Sequence, residues 1–424
     1  MFPSALTAVL LTLVIAALAF LIGVNLATAE KRLQRIPRRL YTSEDPDFRR
    51  ALGVLLGPPI LSGNHVTTLV NGDRIFPAML DAIRSARVSL CFETFIFRDE
   101  IGAQFCRALT EAAQRGVRVH VLLDWLGARS IDHGLLEPAR RAGAHVEFYH
   151  EPSWYHLGRL NNRTHRKLLI VDGRIGFTGG VGIGREWTGN GQDPEHWHDL
   201  HYRVEGPVVS QMQAVFIDNW IKATGNVLHG DAYFPMLHPV GDMDAQMFAS
   251  SPAGGSESMH LMVLLAITAA HRSIDIANSY FVPDELTVGA LIAARERGVH
   301  VRIVVPNRHT DAPVGRWAAH ALYSTLLDAG VQIFEYQPTM IHAKVMVVDG
   351  AWVSVGSSNF DNRSFRLNDE ANLNVFSTGL AEEQIQIIEK DIADSNRMSR
   401  RRWARRSASR RVLETMATLL RSQL

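Results

Sequence analysis

Two stretches of the chain carry a histidine, a lysine two residues on and an aspartate five residues beyond that. The first is His165-Arg166-Lys167-Leu168-Leu169-Ile170-Val171-Asp172, followed by Gly179-Gly180. The second is His342-Ala343-Lys344-Val345-Met346-Val347-Val348-Asp349, followed by Gly356-Ser357-Ser358-Asn359. The apolar, largely β-branched run after each lysine reads as a buried strand. Residues two apart on a strand share a face, so each histidine projects together with its lysine. An imidazole can attack or move a proton and a neighbouring ammonium offsets negative charge, a combination suited to a phosphate. The Asp-Gly pair closing each run is a turn signal. Asp172 and Asp349 are therefore expected to tie down backbone amides.

These motifs sit at matching places in an internal repeat. Ala82-Ile83 precedes the strand-like Val88-Ser89-Leu90-Cys91-Phe92, and Ala266-Ile267 precedes Ser273-Ile274-Asp275-Ile276-Ala277. Aromatic-rich segments follow, Thr94-Phe95-Ile96-Phe97 and Ser279-Tyr280-Phe281-Val282. A helical stretch then ends in Arg115-Gly116-Val117 or Arg297-Gly298-Val299, glycine being a common helix stop. Short β-branched runs alternating with helical patterns give an α/β class. The copies are expected over residues 62–235 and 236–380, with the turn-forming His238-Pro239-Val240-Gly241-Asp242 between them. A duplicated domain can close about a pseudo-twofold axis, which brings both His-Lys pairs to one cleft.

The chain of 424 residues is long enough for two domains, and 46% hydrophobic with 21% charged residues is a globular composition. Its 44 basic and 43 acidic residues leave a net charge of +1, which argues against a dedicated nucleic-acid binder. The two cysteines, Cys91 and Cys106, form neither a metal spacing nor a disulfide framework. Phe2 to Ala29 contains no charged side chain and is followed by Lys31, Arg32, Arg35, Arg38 and Arg39. Residues 1–30 are read as a single transmembrane anchor and 31–61 as a juxtamembrane linker, with the body on the cytoplasmic side of the inner membrane. A signal peptide cleaved near Ala27-Thr28-Ala29 is the competing reading, though the basic leading segment of such peptides is missing. Residues 381–424 are a basic tail, with Arg400, Arg401, Arg402, Arg405, Arg406, Arg410 and Arg411 around Trp403. It suits an anionic leaflet or, equally, a solvated basic helix or disordered end. His196, His198, Asp199 and His201 crowd together but are read as a polar loop, with no metal assigned.

The two motifs, with their Gly-Gly and Gly-Ser-x-Asn followers, resemble the phospholipase D superfamily. Within it the chain resembles bacterial cardiolipin synthases of the phospholipase D type. Gly63-Asn64-x-Val66, Leu69-Val70-Asn71-Gly72, Glu93-Thr94-Phe95, Asn162-Arg163-x-His165-Arg166-Lys167, Gly206-Pro207-Val208-Val209, Ser279-Tyr280-Phe281-Val282-Pro283 and Asp361-x-Arg363-Ser364 carry the likeness. It extends from about residue 60 onward. The resemblance implies two duplicated domains, each a mixed sheet flanked by helices, packed about a pseudo-twofold axis. It implies phosphatidyl transfer between anionic phospholipids through a phosphohistidine, without a cofactor. His165 is then the nucleophile, His342 the general acid and base, and Lys167 and Lys344 stabilise charge at phosphorus. Asp199 and Glu370, shortly after each motif, are candidates to orient the histidines; the alternative for either is a solvated loop carboxylate. Asp172 and Asp349 enter the catalytic set through the motif, and Gly179, Gly180, Ser357 and Asn359 form the candidate phosphate cradle. Gly182 departs from the pattern, standing where many relatives have asparagine. Hydrolysis to phosphatidic acid and a nuclease activity are the alternative reactions.

Overall fold

The computed structural model describes residues 5–26, 33–151, 162–251 and 258–421. Two helices, α1 (Ala5–Leu26) and α2 (Pro46–Leu55), precede the repeat. The first copy runs β1 (Leu61–Val70), α3 (Gly72–Ser85), β2 (Ser89–Thr94), α4 (Asp99–Gln114), β3 (Arg118–Asp124), α5 (Glu137–Arg141), β4 (His145–Tyr149), β5 (Arg163–Thr164), β6 (Leu168–Val171), β7 (Ile175–Gly179), β8 (Leu200–Glu205) and α6 (Val209–Thr224). The second runs β9 (Met243–Ser250), α7 (Ser258–Ala269), β10 (Ser273–Asn278), β11 (Phe281–Val282), α8 (Glu285–Glu296), β12 (His300–Pro306), α9 (Pro313–Asp328), β13 (Gln332–Tyr336), β14 (Lys344–Val348), β15 (Trp352–Gly356), β16 (Phe360–Asp361), α10 (Asn362–Arg366), β17 (Asn368–Phe376) and α11 (Thr378–Ala393). A short β18 (Ser395–Arg397) and helices α12 (Arg400–Ala404) and α13 (Ala408–Thr418) close the chain.

Apart from β18 at one edge, the repeat becomes a sheet that reads the same from either side. Its strand order is β18-β13-β12-β10-β14-β15-β17-β9-β1-β8-β7-β6-β2-β3-β4. Each copy combines parallel pairs, such as β2 with β3 and β10 with β12, with antiparallel ones, such as β6 with β7 and β14 with β15. The parallel pairs have helical crossovers, as parallel neighbours require. The mixed sheets join at an antiparallel β1–β9 contact, so the described strands of both copies belong to one sheet, apart from β11 and β16, which pair with each other. Phe92 and Phe105 lie in the core of the first copy, and Ile276 and Leu291 in that of the second. A third core beneath the seam draws on both, including Met212 and Phe216 from α6, Met247 from β9, and Val353 and Leu373 from the second copy. Burial there makes the halves one packing unit.

The run after each motif lysine is fully buried, at Leu168–Val171 and Lys344–Val348. Asp172 and Asp349 follow at positive φ of 52° and 55°. Asp172 accepts amide hydrogens from Val88 at 2.7 Å and Ser89 at 3.0 Å. Asp349 accepts them from Arg272 at 2.6 Å and Ser273 at 2.9 Å. Five strand residues put these carboxylates roughly 16 Å from their lysines, so the aspartates pin strand ends and do not meet the histidines.

Among the described residues no helix is long and apolar enough to cross a membrane. Helix α1 runs 22 residues without a charge, but the side chains at both of its ends lie outside the described set. Ala27-Thr28-Ala29, Lys31 and Arg32 also fall outside it. The described part of the basic tail, through Arg421, packs on the second copy. Trp403 is buried, and Arg406 and Arg410 stack over its ring at 4.7 and 5.2 Å.

Candidate active site

Two short backbone pairings, one per motif, stitch the copies together. In the first, β5 runs parallel to the start of β17, and the amide of His165 donates to the carbonyl of Asp369 at 2.9 Å. In the second, Ile341 pairs in parallel with His198, and the amide of His342 donates to the carbonyl of His198 at 2.6 Å. Each histidine is thereby placed beside the residue preceding an acid of the opposite copy. The side chains follow. His165 Nδ1 lies 3.0 Å from both carboxylate oxygens of Glu370, and His342 Nδ1 lies 2.7 Å from Asp199 Oδ2. The candidate acids are thus buried ring partners, and each belongs to the histidine of the other motif. A carboxylate at Nδ1 fixes the tautomer and leaves Nε2 as the reactive nitrogen.

The electrostatics tie both motifs to one site. Burial lowers the protonation of His165, and Lys167 and Lys344 add to this while Glu370 opposes it. Burial and Lys344 push His342 down to about 4. The Lys167 ammonium is pushed down to about 7 by burial and by Lys344, and that of Lys344 to about 8 by burial. Burial acts against ionisation of Asp199 and Glu370, yet the neighbouring imidazoles and lysines hold both carboxyls below their ordinary range. The centre is two carboxylates, two imidazoles and two lysines in a dry setting, where an anion gains most from the ammonium groups.

Their supports differ. Lys167 Nζ donates to the carbonyl of His165 at 2.8 Å. Lys344 Nζ reaches the carbonyl of His342 and Ser279 Oγ, both at 2.7 Å, and Ser279 Oγ donates onward to Asn359 Oδ1 at 3.0 Å. Ser357 Oγ donates to Glu370, so its hydroxyl is committed to the acid and not to an open cradle. Its counterpart Gly180 lies so close to Asp199 that a Cβ would collide with the carboxylate, and a Cβ on Gly179 would meet the Leu200 carbonyl at 2.6 Å. The glycines are thus explained by close packing on the strand that carries the acid. A Cβ on Gly182 would stand 3.0 Å from the ring of Trp187. That indole leaves no room for a side chain at 182, and its Nε1 donates to Asp199 Oδ2 at 3.0 Å. Sequence reading missed Trp187; the glycine at 182 was the only signal of a bulky neighbour. Trp197 stacks on His342 at 5.2 Å, and Tyr280 meets it edge-on at 6.0 Å.

Arg166, between the two chemical residues of the first motif, faces the other way and is fully buried. It donates to the Val215 carbonyl at 2.8 Å and to Asp218 at 3.1 Å. The histidine cluster disperses. His196 pairs with Asp193 at 2.8 Å, and His198 bridges Asn71 at 2.8 Å and Asp391 at 3.1 Å. Among the described residues no three His, Cys, Asp or Glu side chains are arranged to hold a metal ion.

A duplicated sheet whose two His-Lys motifs share one buried site defines a phospholipase D-like protein, and comparison with known proteins makes this specific. The family described as "Cardiolipin synthase, PLD-like domain" matches residues 79–220 and 263–392. Cardiolipin synthase A of Pseudomonas fluorescens SBW25 is 37% identical over 353 residues, covering 82% of this chain and 73% of the relative. Cardiolipin synthase of Staphylococcus aureus Mu50 is 33% identical over 365 residues, 85% of this chain and 74% of the relative. The chain belongs to the cardiolipin synthase family of phospholipase D-like proteins. The fold also matches phosphatidylserine synthase of Haemophilus influenzae, with a TM-score of 0.69 over 89% of this chain and 100% of that one, at 14% identity. Polyphosphate kinase of Porphyromonas gingivalis superposes with a TM-score of 0.54 over 87% of this chain and 52% of that one, also at 14% identity.

Proposed function

We propose that the protein is a cardiolipin synthase-type phosphatidyltransferase joining two phosphatidylglycerol molecules, with release of glycerol. The crossed His165–Glu370 and His342–Asp199 pairs carry this reading, because they leave two activated Nε2 atoms and two ammonium groups for one phosphorus. In the first step His165 Nε2 attacks phosphorus of the donor lipid. The bond to the terminal glycerol oxygen breaks, and His342 gives that oxygen a proton. The product is a phosphatidyl-histidine and free glycerol. In the second step the hydroxyl of another phosphatidylglycerol loses its proton to His342 and attacks phosphorus, and the P–N bond breaks. Lys167 and Lys344 offset charge on the pentacoordinate phosphorus throughout. The bound phosphodiester anion itself favours protonation of His342, countering the burial that lowers it in the free protein.

Membrane attachment belongs to the same proposal. The charge-free α1 leaves Leu13, Leu18 and Phe20 exposed in the isolated chain, and Arg35, Arg38 and Arg39 follow. This pattern supports an anchor with the catalytic body on the cytoplasmic side. Mass spectrometry of lipids after mixing pure protein with phosphatidylglycerol alone tests the reaction. Cardiolipin and glycerol are expected; phosphatidic acid in their place would make the protein a hydrolase. Digestion of labelled single-stranded DNA, abolished by His165→Asn, would favour the nuclease.

A further inference from the structure

Helix α13 is mounted with its polar side inward. Arg410, Glu414 and Ala417 recur three to four residues apart, the spacing of one helix face, and Arg421 follows four residues on, just past the helix. That face meets the protein. Glu414 is buried and accepts from Arg406 at 2.8 Å and Arg410 at 3.3 Å. Arg410 also reaches His320 Nδ1 at 3.1 Å. Arg421 donates to the Pro283 carbonyl, and its own carbonyl accepts from Asn362 Nδ2 at 2.9 Å. The opposite stripe is aliphatic and open: Val412, Leu413, Met416, Leu419 and Leu420 are 46% to 79% exposed. A surface helix in water has the reverse arrangement. Exposed arginines lie near it in the chain, at Arg401, Arg402 and Arg405 around α12 and at Arg411 on α13 itself. Apolar side chains accompanied by unopposed positive charge fit the boundary of an anionic bilayer, where chains bury among acyl groups and guanidinium groups meet phosphates.

The position of α13 gives this a purpose. Pro283 closes the segment that begins with Ser279, the partner of Lys344, and Asn362 lies three residues beyond Asn359. The end of the aliphatic stripe is thus tied to both loops that build the Lys344 side of the site. We propose that the outward face of α13 docks into the anionic leaflet beside the mouth of the active site, so that a lipid headgroup can enter while its acyl chains stay in the membrane. This deepens the phosphatidyltransferase reading and rests on it only for the substrate's route.

The test uses the full chain with Met416→Cys carrying an environment-sensitive fluorophore; Cys91 and Cys106 are buried and leave the new thiol as the labelling site. In vesicles containing phosphatidylglycerol, the emission should move to the blue and be quenched by nitroxides placed in the acyl region. It should do so less in phosphatidylcholine alone. No shift, or equal shifts in both lipids, overturns the proposal. A shift without vesicles that grows with protein concentration also overturns it, because the stripe then covers a second copy. In a separate assay, Leu413→Asp with Leu419→Asp should slow turnover of vesicle phosphatidylglycerol at least about tenfold. Turnover of a short-chain, monomeric phosphatidylglycerol should be unchanged, and equal loss on both substrates counts against docking. If the unaltered chain fails to turn over the short-chain lipid, the enzymatic reading falls, while the fluorescence result still decides the docking.

Discussion

His165 and His342 occupy equivalent places in the two halves, yet their surroundings diverge. Among the described residues His165 faces one aromatic ring, Phe95 at 5.6 Å, and keeps 13% of its side chain exposed. His342 is enclosed by Trp187, Trp197 and Tyr280 and keeps 4%. Glu370 is steadied by a serine hydroxyl and Asp199 by an indole N–H. Lys344 is braced by Ser279, where the first copy has Phe95, and among the described residues Lys167 has no such hydroxyl. What stayed the same is backbone: the turn aspartates, the glycines packed on the acid strands and the pairings across the seam. Duplication set the geometry of the centre, and divergence of the wall separated a more open imidazole from an enclosed one, in keeping with the proposed roles of attack for His165 and proton transfer for His342.

The division of labour can be broken most severely at the rings. His165→Asn and His342→Asn should each lower phosphatidyl transfer by about 10⁴-fold or more. A donor with a p-nitrophenol leaving group, which needs no proton, separates them. The His342 variant should then accumulate phosphatidylated protein, seen by intact-protein mass spectrometry, and the His165 variant should not. The opposite pattern would exchange the roles. Glu370→Gln and Asp199→Asn come next, at about 10²- to 10⁴-fold, because each loses control of the tautomer. Glu370→Gln should abolish labelling of His165 although it lies in the other half, and normal labelling would refute the crossed pairing. The pH profile follows. Both ammonium groups are charged below their pKa values and neutral above, so kcat/KM should fall as pH rises through about 7 to about 8. A flat profile to pH 10 would mean that the lysines are not the anion-stabilising groups. The smallest effects are expected at the supports. Trp187→Phe keeps the ring and removes one hydrogen bond, for about a three- to tenfold loss. Ser357→Ala should cost about as much, and the two together should be close to the product, since they serve different rings.

The motif, the repeat and the α/β class were legible because they are local patterns. Spacing alone put His165 with Lys167 and foresaw that Asp172 and Asp349 would hold backbone amides. Asp199 and Glu370 were found as acids, but proximity along the chain suggests no crossing, which follows from β5 meeting β17 and Ile341 meeting His198. The relation between the aromatic segments was also hidden. Leu90 lies opposite Val171 as Ile274 lies opposite Val348, so Phe95, and not Thr94, falls where Ser279 does. Trp187 escaped notice because its partner is a carboxylate on another strand. The tail's composition left a leaflet, a solvated helix and a disordered end equally open. Only packing reveals that three of its arginines, Arg406, Arg410 and Arg421, are bonded to the body or within the tail and that its aliphatic residues face out.

The seam between the halves also sets a time at which the chain can begin to act. His165 leaves the ribosome well before Glu370, 205 residues later, and its ring lacks the partner that selects its tautomer until the second copy has folded and docked. His342, though made late, draws its carboxylate from the portion synthesised first. A nascent or half-folded molecule therefore holds His165 without its carboxylate, and the proposed attack on lipid waits until the second copy has been made and has docked.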